Sequence, residues 1–328
     1  MMTTPANNIT GTQNEEQQLR LLRARREMYA RAKTFLVAQL ILTLAVPVAG
    51  AIFALFVPTL RPYVALAAIL ITVFDVTYLD RTQRRILKSS ARIQEEFDCN
   101  TLELPWDQFT VGRRLEPETI HEAASKFARK KDDSSIRDWY PTAVAEVPLE
   151  LARIICQRTN LWYDSKLRRH YGAIVLSVGV ALVVVLAFSG LFAGITVAEF
   201  VVNLGAPAAP VLIWTLREFL RQRDTADQLD YLRGEAESLW DKAIAGTCSP
   251  DVCSAQSRKF QNAIFTRRAT SPLIFDAVYW MQRPDLEGQM NEGAAHMVAK
   301  ARSAIAPIKP PVDSKFGDAR LGGPGKTK

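Results

Sequence analysis

TFLVAQLILTLAVPVAGAIFALFV, residues 34–57, runs for 24 positions without a charge, and Gln39 is its only strongly polar side chain. A helix rising 1.5 Å per residue covers about 36 Å over that length, enough for a hydrocarbon core of about 30 Å with some tilt. After the short 58–62 connection, YVALAAILITVFDVTYL (63–79) adds about 25 Å, near the minimum for a span, and carries Asp75. The two stretches predict a transmembrane helical hairpin.

The scheme recurs. Residues 171–193 are uncharged and rich in Val, Leu, Ala and Gly. Residues 195–216 follow with Glu199, Asn203, Pro207 and Pro210. Two prolines that close together break a soluble helix, but a membrane helix tolerates them as kinks when neighbours satisfy the freed carbonyls. The fold class expected is therefore an all-α membrane protein with two transmembrane hairpins, four spans in total, and mostly helical cytoplasmic stalks and domain. Two buried hairpins of a large soluble α-protein are the competing reading. The uninterrupted apolar length and bare turns disfavour it. A cleavable signal peptide fits poorly too, because more than 30 residues precede the apolar run and the run continues to Val57.

Basic residues set the expected orientation. Arg20, Arg23, Arg25, Arg26, Arg31 and Lys33 precede the first span; Arg81, Arg84, Arg85 and Lys88 follow the second. Lys166, Arg168 and Arg169 precede the third, and Arg217, Arg221 and Arg223 follow the fourth, whereas the two hairpin turns contain only Arg61. Every flank places both termini and the 80–170 segment in the cytoplasm.

The organisation expected is a basic N-terminal helix (1–33, with 1–12 disordered), hairpin 1 (34–79), a cytoplasmic region (80–170), hairpin 2 (171–216), a helical C-terminal region (217–305) and a disordered tail (306–328). Helices are expected at 80–98, 116–130, 148–170, 217–244, 253–268 and 284–305. The whole chain of 328 residues carries a net charge of +7 with 48% hydrophobic residues, and its mean hydropathy is −0.01. Four cysteines do not make a disulfide scaffold, and 16 glycines with 17 prolines exclude a collagen-like chain.

Catalytic patterns are missing. No Walker loop, nucleophile elbow or HExxH occurs, and His121, His170 and His296 are scattered. Cys248 and Cys253 lack the two further ligands that zinc needs. No cofactor, metal or catalytic residue is expected, nor a DNA or RNA partner. Asp75, Glu199 and Asn203 are the polar residues inside the spans. Asp75 and Glu199 read equally well as pore or gate residues and as interfacial acids, whereas Asn203 reads more as inter-helix packing than as pore lining. The cytoplasmic cluster Arg153, Arg158, Trp162, Tyr163, Arg168 and Arg169 suits an anionic ligand with flat bases, since guanidinium forks take phosphates and rings stack nucleobases. Helix packing and contact with anionic lipid are the alternatives for the same residues.

Four stretches carry a family resemblance: QNEEQQLRLLRARREMYARAK (13–33), FDCNTLELPW (97–106), LARIICQRTNLWYDSKLRRHYG (151–172) and FQNAIFTRRATSPLIFDAVYWMQRPDLEGQM (260–290). Their order around two membrane hairpins resembles the SMODS-associated four-transmembrane effectors, pore-forming proteins of bacterial CBASS-type antiphage systems. The resemblance implies a cyclic oligonucleotide ligand made by a cognate nucleotidyltransferase, a lipid bilayer as the second partner, and a homo-oligomer. It further implies permeabilisation of the membrane that arrests or kills the cell. A membrane-anchored sensor or scaffold that binds a partner protein without forming a pore is the alternative.

Overall fold

The structure, a computed structural model, describes residues 6–305. It is helical throughout, with no strand among the described residues. The short α1 (Ile9–Thr12) leads into α2 (Glu16–Leu40), which continues through a π-turn (Ile41–Ala45) into α3 (Val46–Phe56). A 3-10 turn (Pro58–Leu60) returns the chain as α4 (Arg61–Phe74), a second π-turn (Asp75–Leu79) and α5 (Asp80–Thr101). Then come α6 (Gln108–Val111), α7 (Pro117–Ala128), a 3-10 turn (Thr142–Glu146) and the 44-residue α8 (Leu149–Phe192). After α9 (Val197–Phe200) and a third π-turn (Val201–Gly205), α10 (Ala206–Ile244), α11 (Pro250–Thr270) and α12 (Asp276–Ile305) complete the fold.

Two of the π-turns end just before prolines, Pro47 and Pro207. A proline lacks an N–H and its ring crowds the carbonyl four residues earlier, so the ladder loosens by one residue there. α12 begins eight residues before Pro284, the expected start, and takes that proline inside the helix.

Three continuous helices are long and apolar enough to cross a bilayer: Glu16–Gly50, Pro62–Thr101 and Leu149–Phe192. In their most apolar windows only 6%, 6% and 17% of residues are buried. The fourth apolar segment, 195–216, lies from Val197 onward in the unbroken helical path of α9, its π-turn and α10. Exposed side chains such as Phe53, Ile69, Val185 and Ile213 form a belt at this end of the molecule. So large an apolar surface has no stable place in water and is solvated by lipid.

Beyond the belt, the helices run on into a bundle with a core of its own. α2 packs along α5 and α7, α8 along α10, α11 against α5, and α12 against α8. The main core there gathers Leu19, Leu22, Ile93, Phe97, Tyr140, Ile154 and Ile155, all almost fully buried. Residues 6–12 belong to this core, contrary to the disorder expected of 1–12. The Asn7 side-chain amide donates to the carbonyls of Val144 (2.7 Å) and Val147 (2.8 Å), and Ile9 is fully buried. One apolar anchor with satisfied backbone partners is enough to order a polar segment. Residues 1–5 and the 306–328 tail lie outside the described residues.

Candidate functional site: a basic cavity above the membrane

Four helices supply most of the lining of a cavity of about 680 Å³, within the range of small-molecule sites. Each wall is a stripe at helical spacing, which places its side chains on one face. α2 supplies Arg25, Tyr29 and Lys33, with Arg26 and Ala30 beside them; α8 supplies Asn160, Tyr163, Asp164, Leu167 and Arg168. α11 adds Ile264, Arg267 and Arg268, and α12 adds Asp276, Tyr279 and Trp280 from its first turn. Trp139, Lys130 and Lys131 come from the connection after α7. Lys33 stands four residues, about 6 Å along a helix, before Val37, an exposed residue of the lipid-facing belt.

The lining holds nine lysines and arginines against three carboxylates. Four of the cations are paired: Lys33 with Asp276, Lys130 with Glu27 (3.1 Å), Arg168 with Asp164 (3.1 Å) and Arg268 with Asp98. Arg25, Arg26, Arg31, Lys131 and Arg267 have no carboxylate partner among the described residues. Aromatic faces take that place. Arg25 lies 4.7 Å from the ring centres of both Tyr29 and Trp139. Arg26 lies 4.9 Å from Trp280 and 5.5 Å from Tyr279, while Lys131 and Arg283 also approach Trp280, at 6.0 and 5.2 Å. Cation–π contacts compensate a desolvated guanidinium only in part. Burial accordingly pulls Arg25 below the usual arginine range.

Several buried donors have no acceptor. Arg25 Nε, Arg26 Nε, Trp139 Nε1 and Asn160 Nδ2 are unpartnered, and all four residues line the cavity. Leaving a buried donor unpaired costs about 1–3 kcal/mol. Convergent orphan donors, excess positive charge and exposed aromatic faces describe a receptor for an anionic, acceptor-rich ligand with flat rings.

A second polar network ties this wall together. Asp98, fully buried, accepts from Tyr140 Oη, Gln261 Nε2 (both 2.8 Å) and Arg268. Glu95 beside it pairs with Arg258 and accepts from Gln261 Nε2 (2.8 Å), and burial holds its carboxyl above the usual range. Arg268 thus faces the cavity from a fixed position.

Of the six residues that the sequence put forward for a ligand, Tyr163 and Arg168 stand on the cavity wall. Arg168 is nevertheless engaged, donating to Gln222 Oε1 (2.8 Å) and the Pro272 carbonyl (2.9 Å). Tyr163 places its hydroxyl beside that of Tyr279. The other four lie elsewhere. Arg153 donates to the carbonyls of Leu102 (2.5 Å) and Glu103 (2.7 Å), clamping a turn in which Glu103 adopts a positive φ of 50°. Arg158 pairs with Glu237 (2.9 Å), Arg169 with Asp227 and Asp230 on the surface, and Trp162 packs beside Leu167 and Tyr171. Missing from the sequence reading were the α2 arginines, Trp139, Arg267 and the Tyr279–Trp280 pair. The α2 cations were read only as an orientation signal, although their four-residue spacing with Tyr29 already placed them on one face.

A profile of the SMODS-associating 4TM effector domain matches residues 7–297. The chain belongs to the SMODS-associating 4TM effector family. The match spans both hairpins and all four cavity walls. A protein of Bacillus cereus (strain VD146), described as a probable CBASS effector molecule, is 25% identical over 277 residues, covering 83% of this chain and 92% of the relative. No solved structure matches.

In this 4TM effector the intramembrane acids have local surroundings. Glu199 closes a capping box: its Oε2 accepts from the Thr196 backbone N–H and hydroxyl, both at 2.8 Å. Asp75 opens the π-turn of the second span, with the Gln39 side chain as its polar neighbour and Oδ1 unpartnered. The two acids lie at opposite ends of their hairpins. The Asn203 side chain is outside the described ones. Among the described residues no three His, Cys, Asp or Glu side chains gather as a metal set, and all four cysteines are free thiols.

Proposed function

We propose that this 4TM effector is a CBASS-type antiphage protein of the bacterial inner membrane, with both termini in the cytoplasm. A cyclic oligonucleotide made by a cognate nucleotidyltransferase binds the basic cavity and switches a homo-oligomer of the protein into a membrane-permeabilising state. The observation that carries the reading is the cavity itself. It offers five cations without carboxylates, four orphan donors and the faces of Trp139, Tyr279 and Trp280, on a lining that reaches Lys33, four residues before the exposed Val37 of the lipid-facing belt. The relative described as a probable CBASS effector supports the same assignment.

Phosphate oxygens satisfy the arginines, and the bases stack on the exposed rings. Taking a switch from 1% to 99% open needs a ligand preference of about 5.5 kcal/mol for the open state. Two or three charge-assisted contacts, each about 1.5–3 kcal/mol, reach that figure. α2 offers the route to the membrane, since the helix that carries Arg25 and Lys33 continues without a break into the first span. Asp75 and Asn203 are the polar residues proposed to line the open state, whereas the Glu199 carboxylate is held by Thr196 in its capping box.

The test is the membrane potential of cells that express the full chain with its nucleotidyltransferase. Depolarisation when the synthase is active, and not with a synthase inactivated at its catalytic carboxylates, is the expected result. A retained potential, with the protein still recruiting a partner through its cytoplasmic part, contradicts permeabilisation.

A further inference from the structure

Five cavity cations lack a carboxylate, but Lys33 has one of unusual placement. Its ammonium pairs with Asp276 Oδ1, and the same ammonium lies 5.7 Å from the Tyr279 ring centre. The pair joins helices far apart in sequence: α2, just before the first span, and the first turn of α12. The other two carboxylates of the cavity are less free to leave. Asp164 is bound to Arg168 four residues on in the same helix, and Glu27 has a side chain only 19% exposed. The Asp276 side chain is 55% exposed, while that of Lys33 is 18% exposed. Asp276 also follows the non-helical connection 271–275, whose backbone can yield.

We propose that Asp276 stands in for a ligand phosphate at Lys33, and that a phosphate entering the cavity displaces it and unfastens α12 from α2. This rests on the cavity being the ligand site. Asp276 is then a competitor that holds the empty protein closed. It sits one helical turn before Tyr279 and Trp280, so its release also moves the two rings against which Arg26 is packed. The segment freed is the one that continues into the first span, which joins the occupied cavity to the membrane by a single ion pair exchanged for another. The exchange makes and breaks no covalent bond. It replaces one carboxylate–ammonium contact by one phosphate–ammonium contact, so its net free energy is small and its direction depends on ligand concentration.

The test uses the full chain in detergent or lipid vesicles and inorganic pyrophosphate as the probe, so that it does not depend on which cyclic nucleotide is the signal. Asp276→Asn removes the competitor. Pyrophosphate is expected to bind it roughly three- to five-fold more tightly than the wild type, the worth of a partly exposed ion pair. Basal release of a trapped dye from vesicles is expected to rise with it. Asp276→Glu keeps the charge and should behave as the wild type. Asp276→Ser repeats the test if the asparagine variant does not fold. Lys33→Gln should weaken pyrophosphate binding while also raising basal leakage, which separates the site from the clasp. Equal or weaker binding by folded Asp276→Asn, with leakage unchanged, overturns the proposal. That result leaves the cavity intact as a binding site, whereas loss of pyrophosphate binding by the wild type itself overturns the site.

Discussion

In the second membrane hairpin α8 runs unbroken for 44 residues against α10 and the π-turn Val201–Gly205 loosens only the returning path, whereas both helical paths of the first are interrupted by π-turns, at Ile41–Ala45 and Asp75–Leu79. Glycines close the second hairpin. A Cβ at Gly179 would stand 2.4 Å from Thr215 Cγ2, and one at Gly190 would stand 2.6 Å from Phe200 Cδ2. Small residues at such crossings let backbones approach where lipid gives helices no hydrophobic reason to associate. In the first hairpin the corresponding approach, Gly50 to Val64 Cγ1, is looser at 2.9 Å. The second hairpin is built as a fixed post and the first as the adjustable member. The cavity wall on α2 leads into the adjustable one.

The largest expected effect comes from cutting the cavity off from the first hairpin. Arg25→Gln combined with Arg26→Gln removes two guanidiniums that have no carboxylate partner. At about 1.5–3 kcal/mol for each charge-assisted contact, nucleotide affinity falls by a hundred-fold or more. Calorimetry on the purified full chain checks this, and the thermal midpoint should change little, because the cation–π contacts that are lost offset the relief of two charges without carboxylate partners. Next comes the post itself. Gly179→Leu must push Thr215 and α10 away, an overpacking cost of about 3 kcal/mol, seen as a lowered melting temperature in detergent and loss of folded protein. Tolerance of the leucine would erase the difference between the hairpins.

Trp280→Ala removes a stacking face worth about 1–3 kcal/mol per base. It should weaken binding of a cyclic nucleotide by roughly five- to hundred-fold while leaving pyrophosphate binding nearly unchanged. Equal losses for both ligands would show that Trp280 only holds Arg26. Gly50→Ala asks Val64 to shift by about half an ångström or more, so stability should fall by about 1 kcal/mol, below the cost at Gly179. Glu199→Gln gives the smallest effect. It weakens the capping box and should leave dye release from vesicles unaltered, since the carboxylate is spent on Thr196.

The all-α class and the apolar segments were legible because uncharged runs of membrane length have few other solutions in sequence space, and residues 34–57 are of that kind. The cavity was less legible. Its walls lie in four segments separated by as many as 255 residues, from Arg25 to Trp280, and local spacing shows which residues share a face but not which faces meet. The resemblance-bearing stretches 13–33, 151–172 and 260–290 turn out to be the ones that line it. The fourth, 97–106, supplies Asp98, which fixes Arg268. Arg153, Arg158 and Arg169 looked like ligand residues because an arginine serving a turn carbonyl, a glutamate or a surface aspartate is the same letter in sequence. Only the partners distinguish them. Residues 6–12 were misjudged for a related reason, since Asn7 finds its partners more than a hundred positions away.

The measurement that tests the account most directly is hydrogen–deuterium exchange of the full chain in lipid vesicles, with and without the cyclic nucleotide that binds it. The account predicts faster exchange confined to the start of α12 and to residues 34–79, with the α8 path through 171–193 unchanged. Unchanged exchange in the first hairpin, or opening of the second in its place, would contradict it.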